Sequence, residues 1–188
     1  MTTPAENPLR VLTIGHSNST VDEIVSLLRE YGVHVVVDVR SVPYSQYVPQ
    51  FNRETFEAAL VAARIDYRFA GEYLGGRPTD PTCYKNGEVP TGKADYLQLV
   101  DYDEVAKRPW FQKGLDRLIQ LTERQTVAVM CSEEDPGRCH RHHLIARELL
   151  AQELEVEHIR HPNASQRYLE SDAAVSERLF QPSQLPLL

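Results

Sequence analysis

Residues 33–39, with the sequence VHVVVDV, restrict the fold more than any other stretch of the chain, because five of the seven residues are valine. β-Branched side chains suit a pleated strand, and a strand that is apolar on both faces is typical of the interior of a parallel sheet. Just before it, Thr20 and Glu23 match the capping-box pattern of a helix start, and Gly32 supplies a helix stop. A capped helix that leads into a buried strand predicts a βαβ unit.

The same alternation of strand and helix patterns continues along the chain. Predicted strands cover residues 10–14, 33–39, 65–69, 127–131 and 155–159, and predicted helices cover residues 20–31, 52–63, 94–100, 109–123, 144–150 and 164–180. We therefore expect an α/β fold, a single three-layer domain with a mostly parallel sheet of about five strands and helices on both faces. This domain should cover residues 10–162, after a disordered segment at residues 1–9. Residues 163–188 should add a C-terminal helix and tail packed on the same domain.

Composition narrows the class of protein. No apolar run approaches the roughly 20 residues of a membrane helix, so no membrane partner is expected. The N-terminus lacks the pattern of a signal peptide, which predicts a cytoplasmic protein. The three cysteines are an odd number in a chain without an export signal, so reduced thiols or metal ligands are expected rather than a disulfide framework. A net charge of −7 argues against a broad nucleic-acid-binding surface.

Polar side chains gather at the predicted carboxyl ends of three strands. They are His16 and Ser17 after the first strand, Asp38 and Arg40 at the second, and Cys131 with Glu133 at the fourth. Carboxyl ends of parallel strands lie at one edge of the sheet, where ligands of α/β proteins bind. Because unpaired buried charges cost several kcal/mol, this convergence indicates a functional site. The glycine-rich and proline-rich residues 71–93 could cover that site as a lid.

The first interpretation of the site is an enzyme, either a thiol-dependent or an acid–base hydrolase or transferase. Cys131 is the predicted nucleophile, since loop amides, a helix N-terminus and nearby cations lower the pKa of a thiol. Glu133 and His16 are the predicted acid–base groups. The predicted contacts of a small anionic or nucleotide-like substrate are Ser17, Asp38, Arg40, Tyr73 and Arg141. In the competing structural interpretation, Cys131 is a packing residue, and Asp38 and Arg40 pair with each other's neighbours as a buried strut.

Two other functions are compatible with the same residues. Cys131, Cys139 and His140 offer ligands for a zinc or iron ion, with His16 as a fourth ligand, although their spacing matches none of the usual paired zinc patterns. A nucleic-acid or nucleotide-binding module is the third alternative, because arginines and aromatic residues surround the site. Metal content and binding to single-stranded oligonucleotides would separate these alternatives from a thiol enzyme.

Four motifs taken together resemble a known family. They are TIGHS at residues 13–17, VDVRSVPYS at 37–45, EYLGG at 72–76 and CSEEDPGRCHRHHLIA at 131–146. In order and spacing they are similar to the bacterial and archaeal family of domains of unknown function numbered 488, over about residues 10–160. The resemblance implies an α/β fold and a site at these motifs, without implying a reaction. A more distant similarity is to rhodanese-like and cysteine-phosphatase domains, which also combine a DVR-like strand with a strand-ending cysteine.

Overall fold

The computed structural model describes residues 9–163 and 165–180. Its six strands are β1 (Arg10–Gly15), β2 (Val35–Asp38), β3 (Asp66–Phe69), β4 (Val127–Cys131), β5 (Glu155–Asn163) and β6 (Gln166–Ser171). They form one sheet in the order β3-β2-β4-β1-β5-β6, in which only β5 and β6 pair in antiparallel fashion. The expected α/β fold with a mostly parallel sheet is confirmed. The predicted disordered segment and the end of the predicted tail, at residues 1–8 and 181–188, lie outside the described residues.

Helices cover both faces of the sheet. They are α1 (Val21–Glu30), α2 (Arg53–Ala62), α3 (Gly71–Leu74), α4 (Tyr96–Leu99), α5 (Tyr102–Ala106), α6 (Pro109–Thr122), α7 (Arg147–Leu150) and α8 (Asp172–Phe180), with a π-helical segment, Arg141–Ala146, leading into α7. On one face, α1 and α2 bury residues such as Leu28 and Phe56, and on the other α6 buries Phe111 and Leu115. Among these helices of the described ranges, none has the length and apolar character needed to span a membrane.

The first helix forms as its sequence predicts. The Thr20 hydroxyl accepts a hydrogen bond from the backbone N–H of Glu23 at 3.2 Å, and the Glu23 carboxylate accepts one from the backbone N–H of Thr20 at 2.7 Å. After α1, Gly32 adopts φ +66°, a left-handed conformation that glycine takes without steric cost. The chain then enters β2, whose four residues are all buried. The capped helix and the glycine therefore lead the chain into β2, an interior strand between β3 and β4.

The sixth strand corrects one prediction. We expected a helix over residues 164–180, but residues 166–171 form β6, and the helix begins only at Asp172. The chain turns back directly after β5, which is longer than predicted, and β6 pairs along it from Asn163 to Glu157. Arg160 on β5 forms an ion pair with Glu170 on β6, so the hairpin is stabilised by partners across the two strands. A strand this short and polar has too weak a periodicity to be recognised from its own sequence.

The connections after β1 and β4 lie on opposite faces of the sheet. After β1 the chain crosses to α1 on one face, whereas after the neighbouring strand β4 it crosses to the π-helical segment on the opposite face. Next to the strand ends the two connections stay together, since the backbone N–H of Ser17 donates to the carbonyl of Ser132 at 2.7 Å. Ligands of open α/β sheets bind at this carboxyl edge, where β4 ends at Cys131.

Candidate active site

A cleft of about 200 Å³ lies at the carboxyl edge of β4. Five of the predicted site residues line it, namely Arg40, Cys131, Glu133, Cys139 and His140. The other wall comes from residues 71–93, the segment predicted as a lid, which contributes Gly76 and Arg77. This segment contains α3 and a 3₁₀ turn, Pro81–Cys83, so in the structure it is part of the cleft wall.

Two sulfur atoms and one imidazole nitrogen form the centre of the cleft. The Nδ1 atom of His140 lies 3.8 Å from the Sγ atom of Cys131 and 3.7 Å from the Sγ atom of Cys139. The three atoms all lie within 4.8 Å of one another, and the three residues are buried. Cys131 stands at the end of β4, whereas Cys139 and His140 precede the π-helical segment, so the loop 132–138 brings the two cysteines together.

The two thiols have opposite electrostatic surroundings. The hydrogen bond with Cys139 and burial both raise the pKa of Cys131 well above its usual value. Burial alone would also raise the pKa of Cys139, but the hydrogen bond from Cys131, the positive charge of Arg141 and the nearby His140 outweigh burial and hold the pKa of Cys139 well below its usual value. The anionic sulfur of this pair is therefore that of Cys139. Cys131, the predicted nucleophile, is the protonated partner.

Arg141 explains why Cys139 carries the charge. Its side chain is fully buried, and its Nε and backbone N–H groups donate to the Cys139 sulfur at 3.4 Å and 3.5 Å. Its remaining partners among the described residues are neutral: the hydroxyl of Thr13 and the backbone carbonyls of Glu133 and Glu134. A buried guanidinium needs a counter-charge, and the thiolate of Cys139 supplies it. Arg141, predicted as a substrate contact, thus lies beneath the cleft and holds its sulfur.

His140 is fixed so that one nitrogen faces the sulfurs. Its Nε2–H donates to the backbone carbonyl of Leu74 at 3.1 Å, because a carbonyl can only accept. In the neutral ring, Nδ1 then carries the lone pair directed at Cys131 and Cys139. Gly76 packs against the same ring, and a Cβ atom there would lie only 2.6 Å from Cγ of His140. The EYLGG motif at residues 72–76 therefore contributes a carbonyl and a glycine that orient an imidazole.

These three atoms have the spacing of metal ligands. With Zn–S bonds of about 2.3 Å and Zn–N bonds of about 2.0 Å, a tetrahedral zinc site places S and N ligands roughly 3.6 Å apart. The observed separations of 3.7 Å and 3.8 Å are close to that value. Metal-binding histidines usually donate their other ring N–H to a carbonyl or carboxylate, as His140 does to Leu74. With a divalent ion bound, the two thiolates would balance its charge. The negative charge of Glu133 would then balance the positive charge of Arg141.

Glu133 stands next to this group of ligands. Its carboxylate accepts a hydrogen bond from the Cys131 thiol at 3.3 Å, and the residue lines the cleft. Partial desolvation and the negative charge of Cys139 raise the pKa of Glu133 above its usual value. A carboxyl group in this position can exchange protons with a molecule in the cleft, or it can bind a metal ion as a fourth ligand.

Asp38, Arg40 and His16 form a buried strut rather than an open clamp. The Arg40 guanidinium donates to Asp38 at 2.6 Å, to the Phe51 carbonyl at 2.9 Å and to His16 Nε2 at 3.3 Å. His16 Nδ1–H donates to the Ser17 carbonyl, and the ring stacks on Phe51 with centroids 4.2 Å apart. Burial lowers the pKa of His16 to about 4. Both nitrogens of His16 are thus occupied, so the ring offers neither a free base nor a fourth metal ligand.

Two predicted substrate contacts lie away from the cleft. Ser17 borders a separate surface depression beside Asn18 and His161, where it has φ 47°. Tyr73 packs beside Gly114 of α6, and Arg117 lies over its ring at 5.4 Å from the centroid. The carboxyl edge therefore brings together the sulfur, imidazole and carboxyl groups that were predicted, but separates them from these two side chains.

The cleft is also lined by residues that the predicted site residues did not include, among them Arg77, Tyr96, Tyr102 and Arg138. Arg77 and Arg138 are exposed, and the guanidinium of Arg77 lies 4.6 Å from the centre of the Tyr96 ring. Burial, together with the nearby Cys139, raises the pKa of Tyr102, which keeps its hydroxyl protonated. Arg138 was recognisable from its place in the Cys131–Cys139 loop, but nothing in the local sequence around Tyr102 or Tyr96 indicates that they reach this cleft.

Comparison with known proteins gives the family. No curated protein and no solved structure matches the chain. Residues 20–148 match the family described as Domain of unknown function DUF488. The matched region covers more than half of the chain and includes the Asp38–Arg40 strut, the EYLGG motif and the segment from Cys131 to Ala146. The chain therefore belongs to the DUF488 family.

Proposed function

We propose that this protein is a zinc-dependent hydrolase, in which Cys131, Cys139 and His140 hold the metal and Glu133 is the acid–base group. The observation that carries the proposal is the group of three ligand atoms within 4.8 Å of one another, in which both S–N separations are close to the tetrahedral value and the Leu74 carbonyl holds the His140 ring. Three protein ligands are typical of catalytic zinc, which keeps a fourth position open, whereas structural zinc has four.

The cleft supports a catalytic rather than a structural role. All three ligand residues line the cleft, so the fourth position of the metal would face the space that a substrate enters. Zinc in such a position supplies Lewis-acid chemistry and makes water a nucleophile near neutral pH. The Glu133 carboxylate would take a proton from the attacking water and return it to the leaving group. The protonated hydroxyl of Tyr102 would donate a hydrogen bond to a substrate oxygen.

The surroundings of the cleft favour a small anionic substrate. The exposed guanidinium groups of Arg77 and Arg138 stand at its walls. Arginine binds carboxylate and phosphate groups through paired N–H donors. A volume of about 200 Å³ is below the usual range for drug-sized ligands, which favours a small molecule over a strand of nucleic acid.

Metal analysis of the protein purified without added metal tests the proposal. We expect about one zinc ion per chain, lost in Cys139→Ser and retained in Cys83→Ala, because Cys83 is a buried core residue outside the cleft. Iron in place of zinc would keep the ligand set but change the proposed metal. Wild-type protein that carries no metal and takes up neither zinc nor Co(II) would refute the proposal.

Glu133→Gln separates catalysis from simple metal storage. If Glu133 is the acid–base group, the variant keeps its zinc, and hydrolysis of a panel of small phosphate and carboxylate esters falls about 10²- to 10⁴-fold relative to wild type. If Glu133 is instead the fourth ligand of a closed site, zinc affinity falls as well. That second result would favour a metal-binding protein without catalysis.

A second candidate is a thiol enzyme that works without metal. The buried guanidinium of Arg141 against the Cys139 sulfur supports it, because this pairing stabilises a thiolate. The nucleophile would then be Cys139 rather than Cys131. Alkylation of metal-free protein by iodoacetamide, followed by mass spectrometry, should modify Cys139 faster than Cys131. Faster modification of Cys131 would remove this candidate.

A further inference from the structure

A buried chain of hydrogen bonds runs from the cleft to α8. It starts at the Cys139 sulfur, which accepts from Arg141 Nε at 3.4 Å. Arg141 Nη1 lies 3.0 Å from the Thr13 hydroxyl, which lies 2.7 Å from His158 Nδ1. His158 Nε2 lies 3.0 Å from the Asp172 carboxylate, at the first residue of α8. All five residues are buried, and each exposes at most 5% of its surface.

Burial lowers the pKa of His158 and favours its neutral ring, and with a neutral ring one arrangement of protons satisfies this chain. A guanidinium can only donate, so Thr13 accepts from Arg141 and must turn its own proton toward His158 Nδ1. That leaves the His158 proton on Nε2, from which it is donated to Asp172. The carboxylate of Asp172 therefore sets the tautomer of His158 and, through Thr13, the position of Arg141.

Asp172 has a second donor that completes its surroundings. His142 Nδ1 lies 2.6 Å from the same carboxylate oxygen. Burial would raise the pKa of Asp172, but the hydrogen bonds from His142 and His158 outweigh it and lower that pKa. His142, His158 and Asp172 have the composition of a metal site, yet their facing atoms already pair with one another. These three residues are therefore explained by the hydrogen-bonded chain, without a second metal ion.

We propose that Thr13 and Asp172 are positioning residues for the metal ligand Cys139, acting through His158 and Arg141. The inference rests on the proposed zinc site and adds to it the residues that fix one ligand through buried hydrogen bonds. Thr13, His158 and Asp172 all lie outside residues 20–148, the region that matches the family. Their hydrogen bonds leave a single orientation for Arg141, whose N–H groups in turn fix the sulfur. Partners of this kind commonly change metal affinity 10- to 100-fold when they are removed.

Thr13→Val and Thr13→Ser test the proposal as a matched pair. Valine keeps the size of the side chain and removes the hydroxyl, so Arg141 Nη1 and His158 Nδ1 both lose a partner, whereas serine keeps that hydroxyl. We expect Co(II) and zinc affinity of the full chain, measured by titration against a competing chelator, to fall 10- to 100-fold in Thr13→Val and less than threefold in Thr13→Ser. The Co(II) absorption bands should shift only in the valine variant.

Loss of stability alone would not move these readouts. Ile24→Val removes a methylene from the core around α1, on the other face of the sheet, and should lower stability by an amount typical of such a change while leaving Co(II) affinity unaltered. If Thr13→Val does not fold, Asp172→Asn decides by the same criterion. Asparagine keeps the acceptor oxygen but removes the charge, and a Co(II) affinity at least threefold below wild type is expected.

The outcomes separate this inference from the proposed function. Wild-type metal binding together with undiminished affinity in the folded Thr13→Val or Asp172→Asn variant would overturn the positioning role and leave the zinc site standing. Wild-type protein that binds neither Co(II) nor zinc would refute the zinc site and this inference with it.

Discussion

Gly76→Ala is the sharpest test of how the metal ligands are positioned. The new Cβ atom would lie 2.8 Å from Nδ1 and 2.6 Å from Cγ of His140. An ordinary contact needs about 3.5 Å, so Nδ1 must move by roughly 0.7 Å, whereas metal–ligand distances tolerate about 0.2 Å. We expect zinc affinity to fall about 10- to 100-fold, which corresponds to about 1.4 to 2.7 kcal/mol of binding free energy.

The assay is a competition titration with a chromophoric zinc chelator, run on wild type, Gly76→Ala and Gly32→Ala. Gly32 has φ +66° and open space around its Cβ position, so alanine there should cost about 1 kcal/mol of stability without touching the site. Gly32→Ala should therefore bind zinc as wild type does. A Gly76→Ala variant with wild-type zinc affinity would refute the reasoning that His140 Nδ1 is a ligand held by close packing.

Three further predictions concern the fold that supports the site. Asp38→Asn removes the buried counter-charge of Arg40 and should lower the free energy of unfolding by about 3 to 5 kcal/mol, read from a urea transition; a loss below about 1 kcal/mol would contradict a buried strut. Because burial lowers the pKa of His16 to about 4, its contribution to stability is complete above pH 6.5 and is lost as pH falls toward 4. Between pH 7 and pH 4, wild type should lose roughly 3 kcal/mol more than His16→Asn, and equal losses would contradict this pKa. Thr20→Ala removes the cap of α1 and should lower the free energy of unfolding, measured by thermal unfolding, by about 1 kcal/mol. Thr20→Ser keeps a capping hydroxyl and should lower it little.

The parts of the fold that were predicted from the sequence depend on local patterns. The valine run of β2 and the capping box of α1 each carry their signal within a few residues, and both formed as expected. β6 was missed because its six residues become a strand only by pairing with β5. The strand propensity of a short segment does not reveal whether another part of the chain will pair with it.

The candidate site was predictable in its location but not in its internal roles. Strand ends indicated the carboxyl edge, and Cys131 and Glu133 do line a cleft there. Which cysteine is anionic depends on Arg141, whose buried guanidinium donates to the Cys139 sulfur. The strand-ending position of Cys131 made it the obvious nucleophile, yet burial and its neighbour keep it protonated. Which thiol is anionic depends on charged groups that come close only in the folded protein, so spacing along the chain could not predict it.

The place of β4 between β1 and β2 also determines when the protein can fold. Val127 pairs with Val11 on one side and with Val35 on the other, so the neighbours of β4 precede it in the chain by 116 and 92 residues. β1 and β2 have no direct pairing with each other, and during synthesis they must wait until β4 has been made. Such distant pairings slow folding, because a long loop must close before the contacts form. The two parts of the sheet, β3-β2 and β1-β5-β6, therefore join only when the strand that carries Cys131 inserts between them, and the cleft forms with that step.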